Sequence, residues 1–295
     1  MSEAAWDAFW AQQRGCLPDS ATGSGRVVAQ AWHAFARQLP RGAKVLDLAT
    51  GDGVVMARML EARRDLKPVG IDQAKALPPP PRGAKMHAGI AMSALPFADA
   101  YFAAVTSQFG FEYGAMEAGA AEVVRVLQPG GSTCVIAHRS DSPIVAHNRA
   151  RRAAIEWAIG EQDLPGKAKR SLALRQFGVA PIPPDIASAP AAGAAKFGQG
   201  SAAWEIAEAI RRTLLASGRE PPAQTAAMID RIAGQARNEA SRIGALEAAA
   251  EAAGTGENVE AALVNAGLQR VERRDLHDGM AATPFATLLV LTKLA

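Results

Sequence analysis

Ten consecutive residues decide the fold of this chain: Lys44-Val45-Leu46-Asp47-Leu48-Ala49-Thr50-Gly51-Asp52-Gly53. An apolar run containing one acid leads into a turn of small residues, and a helical pattern begins at Val54. This order predicts a strand, a tight turn and a helix. Gly51 and Gly53 leave space for a ligand against the backbone because neither carries a Cβ. The first helical turn directs unpaired N–H groups to the same place, so we expect a polar, partly anionic ligand there.

The spacing of the glycines separates two classes of ligand. A dinucleotide fingerprint requires glycine or alanine three positions after its second glycine. Met56 occupies that position here. Asp47 is expected to face the ligand, where its carboxylate would repel a pyrophosphate and attract an ammonium group. Both features disfavour a nicotinamide-dependent enzyme.

The pattern Asp47-x-Ala49-x-Gly51-x-Gly53 resembles motif I of the class I S-adenosylmethionine (SAM) methyltransferases. Alanine replaces the first glycine, as it does in the ubiquinone/menaquinone C-methyltransferase branch. The resemblance implies S-adenosyl-L-methionine as the cofactor, held by Asp47, Ala49, Thr50, Gly51 and Gly53.

Composition sets the broad class of the protein. The 295 residues suffice for one large domain or two smaller ones, and a net charge of +3 is too mild to indicate nucleic acid. The two cysteines exclude a disulfide framework, and the five histidines show no metal-ligand spacing. Because the sequence has neither a signal pattern nor an apolar run of about 18 residues, we expect a cytoplasmic protein without a membrane span.

A second parallel strand is predicted at residues 66–72, and it ends in Asp72, 25 residues after Asp47. A carboxylate at this strand end can accept hydrogen bonds from both ribose hydroxyls. We therefore expect Asp72, with Gln73 beside it, to bind the ribose of the cofactor. The alternative is an acid that caps the next helix, which the proline run at 78–81 disfavours.

The segment 87–99 resembles the third motif of the same family in its Leu95-Pro96-Phe97 part. The adenine-binding aspartate of that motif is absent, because Ile90, Ala91 and Met92 fill its neighbourhood. Adenine is then expected to contact backbone N–H groups and apolar side chains around Ala91 and Met92.

A fourth strand is predicted at residues 101–107, and it brings Ser107, Gln108 and Phe109 to the ligand. Methyltransferases that this chain resembles often place an arginine or threonine of an N-terminal helix on the methionine carboxylate. Arg26 is the candidate for that role, and a solvated arginine is the alternative.

The later chain completes the predicted fold. A helix at 121–127, a break at 128–131 and a strand at 132–137 form an R-V-L-x-P-G-G element that is frequent in class I methyltransferases. Two more strands are predicted at 268–273 and 286–292. The resemblance implies that the last strand is antiparallel.

The predicted fold class is α/β: a Rossmann-like, seven-stranded methyltransferase sheet with an inserted α-helical cap. Residues 1–139 and 257–295 form the predicted SAM-binding domain, with its N-terminal helices. Residues 140–256 form the predicted cap, in which thin, alanine-rich amphipathic helices are expected over the carboxyl edge of the sheet.

Two further features each allow a structural and a functional interpretation. Residues 4–14 carry Trp6, Phe9 and Trp10 on one helical face, which could pack on the core or cover the cofactor. A basic cluster in the cap could attract an anionic substrate or form a solvated helix face. Its members are Arg149, Arg151, Arg152, Lys167, Lys169, Arg170 and Arg175.

Methylation of a phenolic oxygen or ring carbon benefits from a base, because a phenol has a pKa near 10. Four residues lie where a base could stand: Glu112, Tyr113, His138 and His147. For each of them a structural role is the alternative. His138 is the first candidate, because the sheet fixes a residue at the end of a strand.

These observations predict a SAM-dependent methyltransferase for a small-molecule acceptor, with O- or C-methylation favoured. Nucleic acid is not an expected partner, because residues 107–110 lack the Asn/Asp-Pro-Pro-Tyr/Phe signature of enzymes that methylate exocyclic or amide nitrogen. A homo-oligomer is possible. The alternatives are a non-catalytic SAM-binding regulator or scaffold that uses the helical insertion to bind a partner and, less favoured, an NAD(P)-dependent oxidoreductase.

Overall fold

The computed structural model describes residues 23–173, 182–218 and 220–295. The predicted helix at 4–14, with Trp6, Phe9 and Trp10, lies outside these residues, as does Arg175 of the basic cluster. Within the described chain, no helix has the length and apolar character needed to cross a membrane. The same residues contain no group of three His, Cys, Asp or Glu side chains that could hold a metal ion.

A seven-stranded sheet organises the fold. Its strands are β1 Lys44–Leu48, β2 Lys67–Ile71, β3 Lys85–His87, β4 Phe102–Gln108, β5 Leu127–Ala137, β6 Leu268–Leu276 and β7 Ala286–Lys293. They lie in the order β3-β2-β1-β4-β5-β7-β6. The first five are parallel, whereas β7 runs antiparallel to both β5 and β6. The predicted α/β class and its antiparallel last strand are confirmed.

Nine α-helices accompany the sheet in the described residues. They are α1 Gly23–Gln38, α2 Val54–Ala62, α3 Met116–Val126, α4 Pro143–Glu156, α5 Leu164–Leu172, α6 Pro184–Phe197, α7 Ala202–Ala216, α8 Pro222–Ala253 and α9 Glu257–Asn265. A 3-10 turn, Phe111–Tyr113, follows β4, and a π-helical turn, Trp157–Glu161, follows α4.

Apolar side chains alternate between the two faces of the sheet, as strands that are covered on both sides require. In β1, Val45 belongs to the core layer that contains residues of α1 and α2. Its neighbour Leu46 belongs to the layer that contains residues of α3 and α9. Helices therefore cover both faces, and the carboxyl ends of the parallel strands are the edge available for a ligand.

Strand β5 starts earlier than predicted. The sequence indicates a strand from Ser132, but the observed strand begins at Leu127, which pairs with Phe102. The register shifts before Ser132 pairs with Ala104, and Gly130 between them has a φ of 72°. The Pro-Gly-Gly break is thus accommodated as an irregularity within the strand pair.

The chain divides into two compact units. The first comprises the residues up to Ala146 and from Ala245 onward, and it contains the whole sheet. The second, His147–Gly244, lies within the predicted cap and has its own apolar core, in which Ile155 and Ile210 are fully buried. The unit boundaries fall inside α4 and α8.

Candidate functional site

A cleft of about 340 Å³ lies at the carboxyl ends of β1, β2 and β4, within the first unit. Four segments contribute to its lining, within residues 49–55, 71–74, 90–93 and 108–115. Asp52 and Asp72 are the charged residues of this lining, and none of its described members is Lys, Arg or His. The cleft is therefore suited to a cationic or neutral ligand.

Thirteen residues were predicted to bind the cofactor, and the cleft brings most of them together. Nine line it: Ala49, Thr50, Gly51, Asp72, Gln73, Ala91, Met92, Gln108 and Phe109. Four do not line it: Asp47, Gly53, Ser107 and Arg26.

The turn after β1 has left-handed backbone at alternate residues. φ is 52° at Ala49, 54° at Gly51 and 77° at Gly53. The Gly53 N–H donates to the Thr50 carbonyl at 2.8 Å, and the Thr50 N–H donates to the Ile71 carbonyl at 2.9 Å. Because a left-handed conformation is uncommon outside glycine, Ala49 holds local strain directly at the cleft.

Gly53 is needed for a reason other than the predicted one. A Cβ on this residue would lie 2.7 Å from Pro81 Cδ and 3.1 Å from Met86 Sδ. The glycine is therefore required by its positive φ and by the packing of a later segment, whereas Gly51 faces the cleft.

Asp47 was expected to face the ligand, but the structure places it buried and outside the lining of the cleft. Its Oδ2 accepts a hydrogen bond from Thr50 Oγ1 at 2.6 Å, and its Oδ1 accepts one from Thr106 Oγ1 at 2.8 Å. Burial raises the pKa of Asp47 to about 7, although both hydroxyls act in the opposite direction. Asp47 is thus linked to the cleft through Thr50, whose hydroxyl group donates its hydrogen to the Asp47 carboxylate.

Asp72 joins the end of β2 to the turn after β1. Its Oδ2 accepts from the Gly51 N–H at 2.9 Å, and its Oδ1 accepts from the Ala74 N–H at 2.9 Å. Both carboxylate oxygens therefore bond to backbone N–H groups at the site. No helix follows Asp72 directly, and the Ala74 contact is the local turn that an aspartate forms two residues ahead.

The side of the cleft beyond β2 is apolar. Ile90, Ala91 and Met92 line it, and the Ile90 N–H donates to the Asp72 carbonyl at 2.9 Å. A Cβ on Gly114 would lie 3.1 Å from Met92 Sδ, so the lack of a side chain there gives the methionine its space. This surface offers apolar contact at the position where the sequence predicts adenine.

The end of β4 reaches the cleft one residue later than predicted. Ser107, which was expected at the ligand, is buried outside the lining of the cleft, and its Oγ donates to the Leu48 carbonyl at 3.1 Å. Gln108 lines the cleft, and its Oε1 accepts a hydrogen bond from Trp32 Nε1 at 2.6 Å. Trp32, in α1, is fully buried, and sequence reasoning missed it because no pattern links it to Gln108.

Phe109 and Gly110 fix the wall next to Gln108. Phe109 has a φ of 52°, and its ring stacks on His138 with centroids 4.3 Å apart and planes 15° apart. A Cβ on Gly110 would overlap the Cβ of Ala49. The close approach of the β4 end to the turn after β1 therefore requires glycine at this position.

Of the predicted bases, Tyr113 lines the cleft, and Glu112 and His138 are buried behind it. The Tyr113 hydroxyl lies 3.4 Å from His138 Nε2, and Glu112 Oε1 accepts from the His138 backbone N–H at 2.8 Å. Burial lowers the pKa of His138 to about 3 and raises the pKa of Glu112 to about 7. His138 is therefore an uncharged group behind the cleft wall, which corrects its predicted place at the ligand.

Arg26 and His147 do not take part in the cleft. Arg26 is exposed on α1, and His147 is exposed at the start of the second unit. Five basic-cluster residues form ion pairs within that unit: Arg151 with Glu239, Arg152 with Glu156, Lys167 with Asp185, Lys169 with Asp230 and Arg170 with Asp163. These pairs favour the solvated helix face over an anion-binding surface.

Comparisons with known proteins agree with this geometry. Residues 46–135, which include the turn after β1, Asp72 and Tyr113, match the family model of a methyltransferase domain. A search of curated proteins gave no match.

Solved structures with a related arrangement were also found. A SAM-dependent methyltransferase from Aquifex aeolicus is 10% identical, with 100% of each chain covered and a TM-score of 0.47. One from Mesorhizobium loti is 12% identical over 92% of this chain and 98% of that chain, with a TM-score of 0.44. A chain from the complex of the Haloferax volcanii Trm112 methyltransferase activator and its partner is 15% identical, with 98% of each chain covered and a TM-score of 0.47.

The assignment rests on the domain match, which includes at least part of each of the five parallel strands and every described residue that lines the cleft. The match identifies residues 46–135 as a methyltransferase domain of the kind that uses S-adenosylmethionine as its cofactor.

Proposed function

We propose that the protein transfers a methyl group from SAM to a small-molecule acceptor, at oxygen or carbon, in the cleft at the ends of β1, β2 and β4. The observation that carries the proposal is the Asp72 carboxylate bonded to the Gly51 N–H, which unites two strand ends into one surface. A volume of about 340 Å³ falls within the range of about 300–1,000 Å³ typical of small-molecule sites.

The cofactor is assigned along the strand ends. Asp72 lines the cleft and accepts hydrogen bonds from the ribose hydroxyls through its carboxylate, and Gln73 lies beside it. Ala91 and Met92 contact the adenine, and Ala49, Thr50 and Gly51 support the methionine half. The two aspartates of the lining suit the positive charge of a sulfonium and an ammonium group.

When bound, SAM supplies an electrophilic methyl group on its sulfonium. The chain must then orient the acceptor and exclude water from the cleft. Phe109 supplies an aromatic wall, and Tyr113 presents a hydroxyl beside it. We assign Tyr113 as the residue whose hydroxyl oxygen accepts a hydrogen bond from the acceptor's hydroxyl group and so orients it. His138 and Glu112 are positioning residues, because they lie behind Tyr113 and do not line the cleft.

The remaining features are proposals of the same kind. We assign the segment 140–256 to recognition of the acceptor. We place the protein in the cytoplasm. We also propose that it is a methyltransferase of the ubiquinone/menaquinone C-methyltransferase type. Its helical pattern supports the first assignment, and the alanine at position 49 supports the last.

Calorimetry with S-adenosylhomocysteine and with NAD tests the cofactor site. We expect S-adenosylhomocysteine to bind and NAD not to bind.

Asp72→Ala should cost about 1–3 kcal/mol of binding free energy, roughly 5- to 150-fold in Kd, because charge-assisted hydrogen bonds are lost. Asp99→Ala is the control, since Asp99 pairs with Arg125 and does not line the cleft. An Asp72 variant with unchanged affinity would refute the ribose assignment.

Turnover distinguishes an enzyme from a scaffold. Formation of S-adenosylhomocysteine is measured with a panel of phenolic, quinol and amine acceptors. Turnover with a phenol or quinol supports the proposal. Turnover with amines alone would overturn O- or C-transfer, and tight cofactor binding without turnover on any acceptor would favour the non-catalytic regulator.

A further inference from the structure

The contact between Gln108 and Trp32 determines which end of an amide faces the cleft. The fully buried indole donates from Nε1 to Gln108 Oε1 at 2.6 Å. An indole nitrogen can only donate, so the amide oxygen must face α1. The amide nitrogen and its two N–H donors are then available to the cleft that Gln108 lines.

A carboxylate in this cleft would need neutral donors. None of the described lining residues is cationic, and Arg26 lies elsewhere on α1. The hydroxyl hydrogen of Thr50 is engaged by Asp47 at 2.6 Å. Gln108 therefore supplies two side-chain donors close to the turn after β1, where the resemblance to methyltransferases had suggested an arginine.

The order of the strands places Gln108 opposite the ribose site. β2 and β4 flank β1 on its two sides, and neighbouring strands are about 4.8 Å apart, so the ends of β2 and β4 are separated by about 10 Å. In the proposed function Ala91 and Met92 take the adenine, and they belong to the segment that follows β3, the strand on the side of β2 away from β1. The other half of the cofactor then runs across β1 and ends beside Gln108.

We propose that Gln108 binds the carboxylate of the cofactor's methionine moiety through its amide N–H groups, with its orientation fixed by Trp32. The inference rests on the proposed function, because it takes the position of the ribose from Asp72. Gln108 touches the cofactor, whereas Trp32 is a positioning residue that acts through Gln108.

Gln108→Glu is the sharpest perturbation, because glutamate keeps an oxygen for the Trp32 indole and replaces the donors by a second acceptor. Binding is measured by calorimetry for two probes, S-adenosylhomocysteine and 5′-methylthioadenosine, which lacks the amino-acid tail. We expect the variant to bind S-adenosylhomocysteine about 10- to 100-fold more weakly and 5′-methylthioadenosine within about twofold of the wild type. Gln128→Glu adds the same charge on exposed β5, outside the cleft, and should leave both affinities unchanged.

A loss of affinity shared equally by the two probes, or no loss for either, would overturn the carboxylate assignment. Failure of the wild type to bind either probe would instead overturn the proposed function, so the two failures are distinguishable.

The role of Trp32 is tested by non-additivity. Trp32→Phe keeps an aromatic ring but removes the donor, and it should weaken binding of S-adenosylhomocysteine more than that of 5′-methylthioadenosine. In a Gln108→Met background, which has no amide to orient, Trp32→Phe should cause no further selective loss. An equal loss in both backgrounds would show that Trp32 acts only through packing and would refute its positioning role.

Discussion

Glu112→Gln should change how the stability of the protein depends on pH. Glu112 is buried, and its Oε1 accepts from the His138 N–H, while its Oε2 is buried with no hydrogen-bond partner in the described chain. Burial raises its pKa from 4.5 to about 7. Glutamine keeps an oxygen that accepts the hydrogen bond from the His138 N–H, but it cannot ionise. The difference in stability between wild type and the variant therefore reports the ionisation of Glu112.

The sign follows from the direction of the shift. Between pH 4.5 and 7 the unfolded chain has released this proton while the folded chain still holds it. The contribution of Glu112 to stability is therefore full below pH 4.5, falls as pH rises and is constant above 7. A shift from 4.5 to about 7, at about 1.4 kcal/mol per pH unit, amounts to a loss of about 3 kcal/mol relative to the variant.

Urea denaturation of wild type and Glu112→Gln at a series of pH values from about 3 to 8 measures this difference. Glu122→Gln is a control of opposite sign, because hydrogen bonds from Arg125 lower the pKa of Glu122. Wild type should gain stability over that variant as pH rises through the acid range. Parallel pH curves for wild type and Glu112→Gln would refute the buried, proton-holding carboxyl.

Two further predictions concern the cleft wall. Gly110→Ala should destabilise the protein and weaken binding of S-adenosylhomocysteine, because the new Cβ overlaps the Cβ of Ala49. Adding Ala49→Gly should restore both stability and binding. Thermal melting measures the stability and calorimetry the affinity, and a double variant that recovers neither would contradict this explanation. Tyr113→Phe should lower kcat for an accepted phenol or quinol by about tenfold or more, while the Kd of S-adenosylhomocysteine stays unchanged. If kcat and the affinity for S-adenosylhomocysteine fall by the same factor, Tyr113 has no separate role on the acceptor side.

The turn after β1 and Asp72 were predictable because their signals are local. A strand, two glycines and a helix follow one another in the sequence, and an acid ends the next strand. The burial of Asp47 was not predictable, since it depends on Thr106, which is 59 residues away on a neighbouring strand. The requirement for Gly53 likewise comes from Pro81, a residue that no motif connects to the turn.

The orientation of the Gln108 amide was likewise not predictable from the sequence. Its partner Trp32 is 76 residues earlier on a helix whose periodicity indicates only a core position. The candidate base His138 was found by its position at the end of a strand, whereas its burial accompanies ring contacts with Phe109 and Tyr113. Sequence position therefore indicated the group of residues, and the structure shows which of them line the cleft.

Strand β6 has a consequence for how molecules of this protein meet each other. It forms one edge of the sheet, and the residues between its buried ends are exposed and mostly charged. Arg270 and Arg273 form ion pairs with Glu260, and Arg274 pairs with Glu272. Pairing this edge with another strand would bring such charges together without water, at a cost that opposes edge-to-edge aggregation. The chain thus protects its longest open backbone edge by its own charge pattern.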